Sequence, residues 1–538
     1  MAARFWVTGG TGNWNSTTNW SATTGGASGA SVPSTSDTAT YDASSGAGTA
    51  TLDISPTVQT LTMTGFTGTL AFGTNTISLN STGSVFTGAT TMTVTGTPQI
   101  ICTNSSATSR TINTTAVTEA NSISFRITAG TGVLTLTAGF ILDLDFTDGT
   151  NPTGFAGSLG STTVTVYGNF KASTGMTVTA GGGVFTFAAT SGTKTITTAG
   201  VTFDRPFTFN GVGGTFQLQD ALTSGATRTA THTNGTLDLN NFTLTTGFFS
   251  SSNSNTRVLA FGTGKIVITG NNTTVCSTNT ATGLTVTGSK RIELSYSGGV
   301  GTRAISGATT ATGIEGTNLL DYFVTAGTDI LNFNGARSYG TIDFSNSGTS
   351  TFTTPGSFTN GAIDVFGNLT LNSTMVVSGG TNIVDMLATS GTKTITTAGQ
   401  TLDFPVTFNG VGGTFAFQDA LTQGSTRAFT ITNGTVQLKS GVTSTVGSFV
   451  ANSSSFKYLQ STTPGSQATI SQASGTVTVS DLTIQDSNAT GGASWTAYAD
   501  YENIDAGNND GWDFSISPPY ATYEPPIIIR SFTQPRRF

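Results

Sequence analysis

The twelve residues ATSGTKTITTAG occur twice, at 189–200 and at 388–399, a separation of 199 positions (388 − 189 = 199). They are one island in a longer duplication. TFNGVGGTFQLQDALT (208–223) matches TFNGVGGTFAFQDALT (407–422), VYGNF (166–170) matches VFGNL (365–369), and HTNGTLDL (232–239) matches ITNGTVQL (431–438), all at the same offset. Upstream the offset shrinks: ITAGTG/VTAGTD stand 197 apart, SRTI/TRAI 193, MTVTG/LTVTG 192 and LAFGT/LAFGT 189. Residues 70–258 and 259–448 are therefore two copies of one long unit, with small insertions that belong in surface loops. The pattern crosses the junction near 258 without a Pro-rich linker, which disfavours a string of separate sandwich domains.

Within each copy the signal has period two. GTLAFGTNTISLN (68–80), GVLTLTAGFILDLDF (132–146) and GKIVITG (264–270) alternate apolar and polar residues, as half-buried strands do. Turn signals recur on the order of every 8–12 residues, so the strands are short and numerous. No amphipathic helix of useful length is found. Only 9% of residues are charged, against roughly 25% in typical soluble proteins. Disorder is excluded by 35 Phe and by β-branched residues throughout. Irregular coils with Gly and Asn corners, lengthened by copying, describe a right-handed parallel β-helix, a β-solenoid in which each coil buries its apolar side on its neighbours. The expected organisation is a cap and first coils at 1–69, repeat A at 70–258, repeat B at 259–448, final coils and a cap at 449–514, and an extended arm at 515–538.

The ends differ from the middle. All five tryptophans lie there: Trp6, Trp14 and Trp20 at one end, Trp495 and Trp512 at the other. They read as aromatic lids over the first and last coils, where bare strand edges would invite aggregation; a sugar-stacking platform is the alternative. After Phe514, the stretch SISPPYATYEPPIIIRSFTQPRRF is rich in proline and in Arg. It reads as a disordered tail or as a docking arm that adds a strand and fills pockets on a partner, through Tyr520, Tyr523, Ile527, Ile528, Ile529, Arg530, Phe532, Arg536, Arg537 and Phe538.

The search for chemistry is largely negative, and no catalytic or metal-ligating residue is assigned. The one histidine, His232, is replaced by Ile431 in the sister copy, which marks a strand position. The best carboxylate cluster is Asp143, Asp145 and Asp148; of these only Asp145 has a sister, Asp343, and a repeated Asp at a strand end is a turn-capping acceptor. Asp204/Asp403, Asp220/Asp419, Lys194/Lys393 and Arg228/Arg427 recur in pairs and suit corner hydrogen bonds or ion pairs. DAGNNDG (505–511) fails the spacing of a calcium loop, and GTGK (262–265) lacks the full phosphate-loop pattern. Cys102 and Cys276 are too few for a disulfide framework and read as buried free thiols. A net charge of −7 leaves no electrostatic footprint for nucleic acid, and no run reaches the length of a membrane-spanning helix. No cofactor is expected. The start MAARFWVTGGTGNW has no apolar core of a Sec-type signal.

The opening GGTGNWNSTTNWSATTGGASGASVPSTSDTATYD resembles the first coils of large bacterial β-helical surface proteins and of virion appendage proteins from marine tailed phages. GTLDLNNFTLTTGFFSSSNSNTRVLAFGTGKIVITG (235–270) and LTIQDSNATGGASWTAYADYENIDAGNNDGWDF (482–514) are similar to the phage group in particular. The resemblance spans most of residues 5–514 and leaves out the arm. It implies a structural or adhesive virion protein: a tail fibre, head fibre or capsid decoration, made in the host cytoplasm and carried on the particle. Its partners would be capsid, neck or tail proteins and a host surface glycan, and many such proteins are homo-oligomers, trimers among them. The arm is the expected anchor, because coil sequence begins almost at Met1. Competing readings are an exported bacterial adhesin and a polysaccharide depolymerase.

Overall fold

In the computed structural model, described for residues 2–516 except 8, 138, 272–273, 297, 299–300, 310–318, 335, 348–350, 354–361, 379 and 381, the alternation of the sequence becomes short strands stacked in parallel. The chain is all-β, a parallel β-solenoid of about 19 turns. At roughly 4.8 Å per stacked strand, that is a rod on the order of 90 Å long. The described residues contain no α-helix, only short 3-10 turns such as Ala43–Ser45.

Most coils contribute one strand to each of three faces. The first face begins with Asp37–Thr40, Thr60–Thr62 and Gly83–Thr87. The second begins with Thr49–Thr51, Thr69–Ala71 and Thr93–Thr95. The third begins with Thr57–Val58, Ile77–Leu79 and Gln99–Cys102. Ala39 pairs with Leu61 and Leu61 with Phe86, advances of 22 and 25 residues per coil (61 − 39 = 22; 86 − 61 = 25). Three strands in such a coil give the short turn spacing of the sequence.

Inward residues form continuous apolar columns. On the third face Ile77, Ile100, Phe125, Leu144, Phe170, Ile196 and Leu218 stand one above another in register, all buried. On the second, Phe187 stacks on Phe209 with ring centroids 5.5 Å apart and planes 13° from parallel. No coil can bury its apolar side alone, so stability comes from the contact between neighbours.

The tryptophans sit at the two ends of this core. Trp20 packs against Trp6 at 5.2 Å and Trp14 at 4.8 Å, with Tyr41 beneath. Trp495 and Trp512 pack at 5.0 Å and rest on Phe449. All five are buried, so none offers an open ring face to a sugar. Most of their indole N–H groups are used internally: Trp6 donates to Gly10 O, Trp20 to Trp14 O, Trp495 to Thr490 O and Trp512 to Ser487 Oγ.

The stack continues unbroken across residue 258. The strand Arg257–Ala260 pairs with Gly235–Asp238 on one side and Leu284–Thr287 on the other. The two copies are not in phase, however. The strand Thr193–Thr197 lies on the third face. Its sister Thr392–Thr396 is the ninth rung of a first-face ladder that starts at Thr202–Phe203 and climbs through Leu222–Ser224, Thr243–Thr246, Lys265–Ile268, Arg291–Ser295, Asp321–Ala326, Ile342–Asp343 and Leu369–Thr370. The 199-residue offset is thus eight coils plus one face, and sister residues look out about a third of a turn apart.

Candidate functional site

A polar groove runs up the third face of repeat A. Successive coils place Gln99, Ser124, Asp143, Asn169 and Thr195 in one outward column, with Arg126, Asp145, Lys171 and Thr197 beside it. Two adjoining cavities of about 370 and 270 Å³ share Gln99, Ser124 and Asp143. The strand period puts alternate side chains of each coil on this outer side, which explains why polar residues of five coils line up here.

The carboxylates in the groove are already engaged. Asp143 accepts from Ser124 Oγ at 3.0 Å, from Asn169 N at 2.6 Å and from Asn169 Nδ2 at 3.1 Å. Asn169 Oδ1 in turn accepts from Thr195 N and Oγ1. Asp145 pairs with Arg126 Nε at 3.2 Å and caps Thr147 through N and Oγ1; its sister Asp343 caps Ser345 N in the same way. Asp148 accepts from Thr150 N and Asn151 N, and those bonds pull its carboxyl down to about 2. This is a hydrogen-bonded surface suited to hydroxyl-rich ligands, with its acids committed to holding turns.

The duplicated charges also hold structure. Arg228 pairs with Asp204 at 2.6 Å and Arg427 with Asp403 at 2.8 Å. Asp220 spans Thr198 N and Ala199 N of the coil below, and Asp419 does the same for Thr397 and Ala398. Ala199 and Ala398 have φ of +52° and +51°, a left-handed turn that the carboxylate secures. Lys194 and Lys393 occupy equivalent half-buried strand positions. His232 is buried in the column above Phe209, its Nε2 donating to Gly235 O, and burial pulls its pKa down to about 4. Cys102 and Cys276 are free and buried, their thiols pushed up to about 12 by burial.

Sequence reasoning missed three buried or half-buried acids that occur in one copy only, Asp329, Asp364 and Asp385. Asp364 and Asp385 are directly paired in register on adjacent coils, where the sister copy has Thr165 and Thr186. Burial, with the Asp364 charge alongside, raises Asp385 to about 6, and its Oδ1 is buried without a partner. Arg303 and Asp329 form an ion pair with both side chains fully buried. The usable signal was the comparison of copies: Arg303 has a buried sister in Arg110, but Asp329, Asp364 and Asp385 stand where the other copy has Gly132, Thr165 and Thr186.

Among the described residues no three His, Cys, Asp or Glu side chains gather as a metal site, and no helix is long and apolar enough to cross a membrane. All ten arm residues, from Tyr520 to Phe538, lie outside the described residues. No family model, curated protein or solved structure matches the chain. Fold and site together define the class as a parallel β-solenoid with a polar, hydrogen-bonding flank.

Proposed function

We propose that the chain is a structural virion protein of a tailed bacteriophage. In this reading it is a rod-like fibre or capsid or tail appendage, assembled as a homo-oligomer, attached through its C-terminal arm and contacting host surface glycans along its flanks. The stack of about 19 coils carries the reading: it gives a stiff spacer whose length grows with coil number, which is what an appendage needs. The resemblance of the opening, middle and closing coils to phage appendage proteins supports the virion setting. A non-enzymatic role is supported by the groove carboxylates Asp143 and Asp145, each already bonded to its turn or ion-pair partner. Deleting residues 515–538 should release the protein from particles while its β-sheet circular dichroism is retained. Normal incorporation of the truncated chain would refute the arm as anchor, and absence of the full-length chain from purified particles would refute the virion role.

A further inference from the structure

The duplication supplies its own control for separating fold from function. Residues 187–223 and 386–422 differ at eight positions, among them Phe187/Met386, Phe203/Leu402, Arg205/Phe404, Phe207/Val406 and Leu218/Phe417. None of the eight is exposed in either copy. Every exposed position in the stretch is identical. Exposed positions ordinarily tolerate replacement within about 0.5 kcal/mol, while core changes cost more, so unconstrained drift would mark the surface first. Within this stretch the core was repacked and the surface was held, whereas on either side of it exposed positions such as Gly175/Thr374, Thr177/Val376 and Ala226/Ser425 changed.

Most of the retained exposed positions, Thr190 to Thr193 with Asn210, Val212 and Gly213, lie at one corner, while Gly200, Thr202, Gln219 and Ala221 lie at or beyond the next, which Asp220 holds. The strand Phe207–Leu218 runs round the first of these, pairing with Phe185–Phe187 before the corner and with Thr193–Ile196 after it. The turn Thr190-Ser191-Gly192 lies on one side of Asn210-Gly211-Val212-Gly213-Gly214, and Thr233-Asn234-Gly235 on the other. Asn234 Nδ2 donates to Asn210 Oδ1 at 2.7 Å, and Asn433 to Asn409 at 2.5 Å. Sterics account for the glycines: a Cβ on Gly211 would stand 1.8 Å from Ala189 O, and on Gly410 1.9 Å from Ala388 O. Sterics do not account for the valine at the tip. Val212 is 69% exposed and Val411 66%, and nothing in the fold requires an apolar β-branched side chain there.

We infer that the two corners centred on Val212 and Val411 are a duplicated binding site for a neutral, hydroxyl-rich glycan. Exposed Ser and Thr hydroxyls and Asn amides supply hydrogen bonds, and the valine offers an apolar contact to the C–H face of a sugar. The two corners are separated by eight coils and one face, about 40 Å along the rod, and look out about a third of a turn apart, so one flat partner cannot cover both. Separate glycan ends, or a flexible polymer, can. The inference rests on the glycan-contacting part of the proposed function and assigns it a place.

The test uses full-length protein carrying ¹³C-labelled valine methyl groups, titrated with neutral glucan and mannan oligosaccharides and with chondroitin sulfate as a polyanionic control. The Val212 and Val411 signals should shift together with neutral glycan, with dissociation constants within about twofold. V212K should leave the Val411 shift and its dissociation constant unchanged, which also reports an intact fold. Retention on an immobilised neutral polymer should fall at least tenfold when one corner is lost, since bivalency is lost with it. Neutral glycan that moves other methyls only, or that binds V212K/V411K unchanged, overturns the corner site while leaving glycan contact intact. Silence of both methyls towards every neutral glycan overturns the site, and particle incorporation then decides the virion role separately. An equal response to chondroitin sulfate, or shifts driven by protein concentration alone, would also overturn it.

Discussion

Replacing Asp385 by threonine, the residue its sister position carries, should stabilise the surrounding coils at neutral pH and not at pH 4. Asp385 pairs with Asp364 in the neighbouring strand, and burial together with that second carboxyl raises it from the ordinary 3.8 to about 6. The folded form therefore holds its proton more tightly than the unfolded chain. Below the ordinary value both states are protonated and the relative stabilisation is fully present; it is lost as pH rises through about 6. The displacement of about two on the pH scale, at ~1.4 kcal/mol for each, sets an upper figure near 3 kcal/mol; sharing of charge within the pair reduces it to the order of 2 kcal/mol. A solenoid opens coil by coil, so the effect is local. Amide exchange in Ile363–Val365, Val384–Met386 and the first residues of Val406–Phe417 is the suitable measurement. Asp385→Thr should slow exchange there about 30-fold at pH 8 relative to the wild type, with little difference between the two at pH 4. Equal protection of variant and wild type at both pH values, or the same difference at both, would refute the buried-pair explanation.

Replacing Asp329 alone by Leu should cost about 3–5 kcal/mol by stranding Arg303 in the core, whereas Arg303→Met with Asp329→Leu should recover most of it; denaturant midpoints of the two variants and the wild type decide. Gly211→Ala or Gly410→Ala should destabilise its corner by several kcal/mol, because the new Cβ would collide with the Ala189 or Ala388 carbonyl, and proteolysis should then cut the rod at that coil. Cys102 and Cys276 should resist a thiol reagent at pH 8 in the native protein and react on unfolding, since both are buried and pushed up to about 12. Trp20→Ala should fray the first coils, at a cost of about 3–5 kcal/mol for deleting a buried indole, read as faster exchange in Ala2–Trp6 and Asp37–Thr40.

The stacked-coil architecture was legible because it is written in short-range terms. Alternation in GVLTLTAGFILDLDF placed Leu134, Leu136 and Leu144 inward, and they are buried. The structural part of Asp145 and of the Asp220/Asp419 pair was also readable, since recurrence in both copies marks a corner. The phase between copies was not: it depends on the number of residues per coil, which varies with each surface loop. The groove was half visible. Asp143 and Asp145 were picked out, but Gln99, Ser124, Asn169 and Lys171 come to them from other coils, and only register places them there. Asp364 and Asp385 stand 21 residues apart in sequence (385 − 364 = 21), and nothing local announces that they become neighbours.

The fractional offset of the duplication has a consequence for how such a chain can grow. Copying the block acts as a screw operation, carrying every side chain up the axis and round it at once. The inserted block did not have to match a whole number of turns; it had only to end on the same kind of strand-and-corner step at which it began. The three sides are interchangeable as scaffolds, so one stretch of gene can repopulate any of them. A third copy with the same advance would open the last direction, and the rod would then present the identical motif all the way round without a new residue being invented.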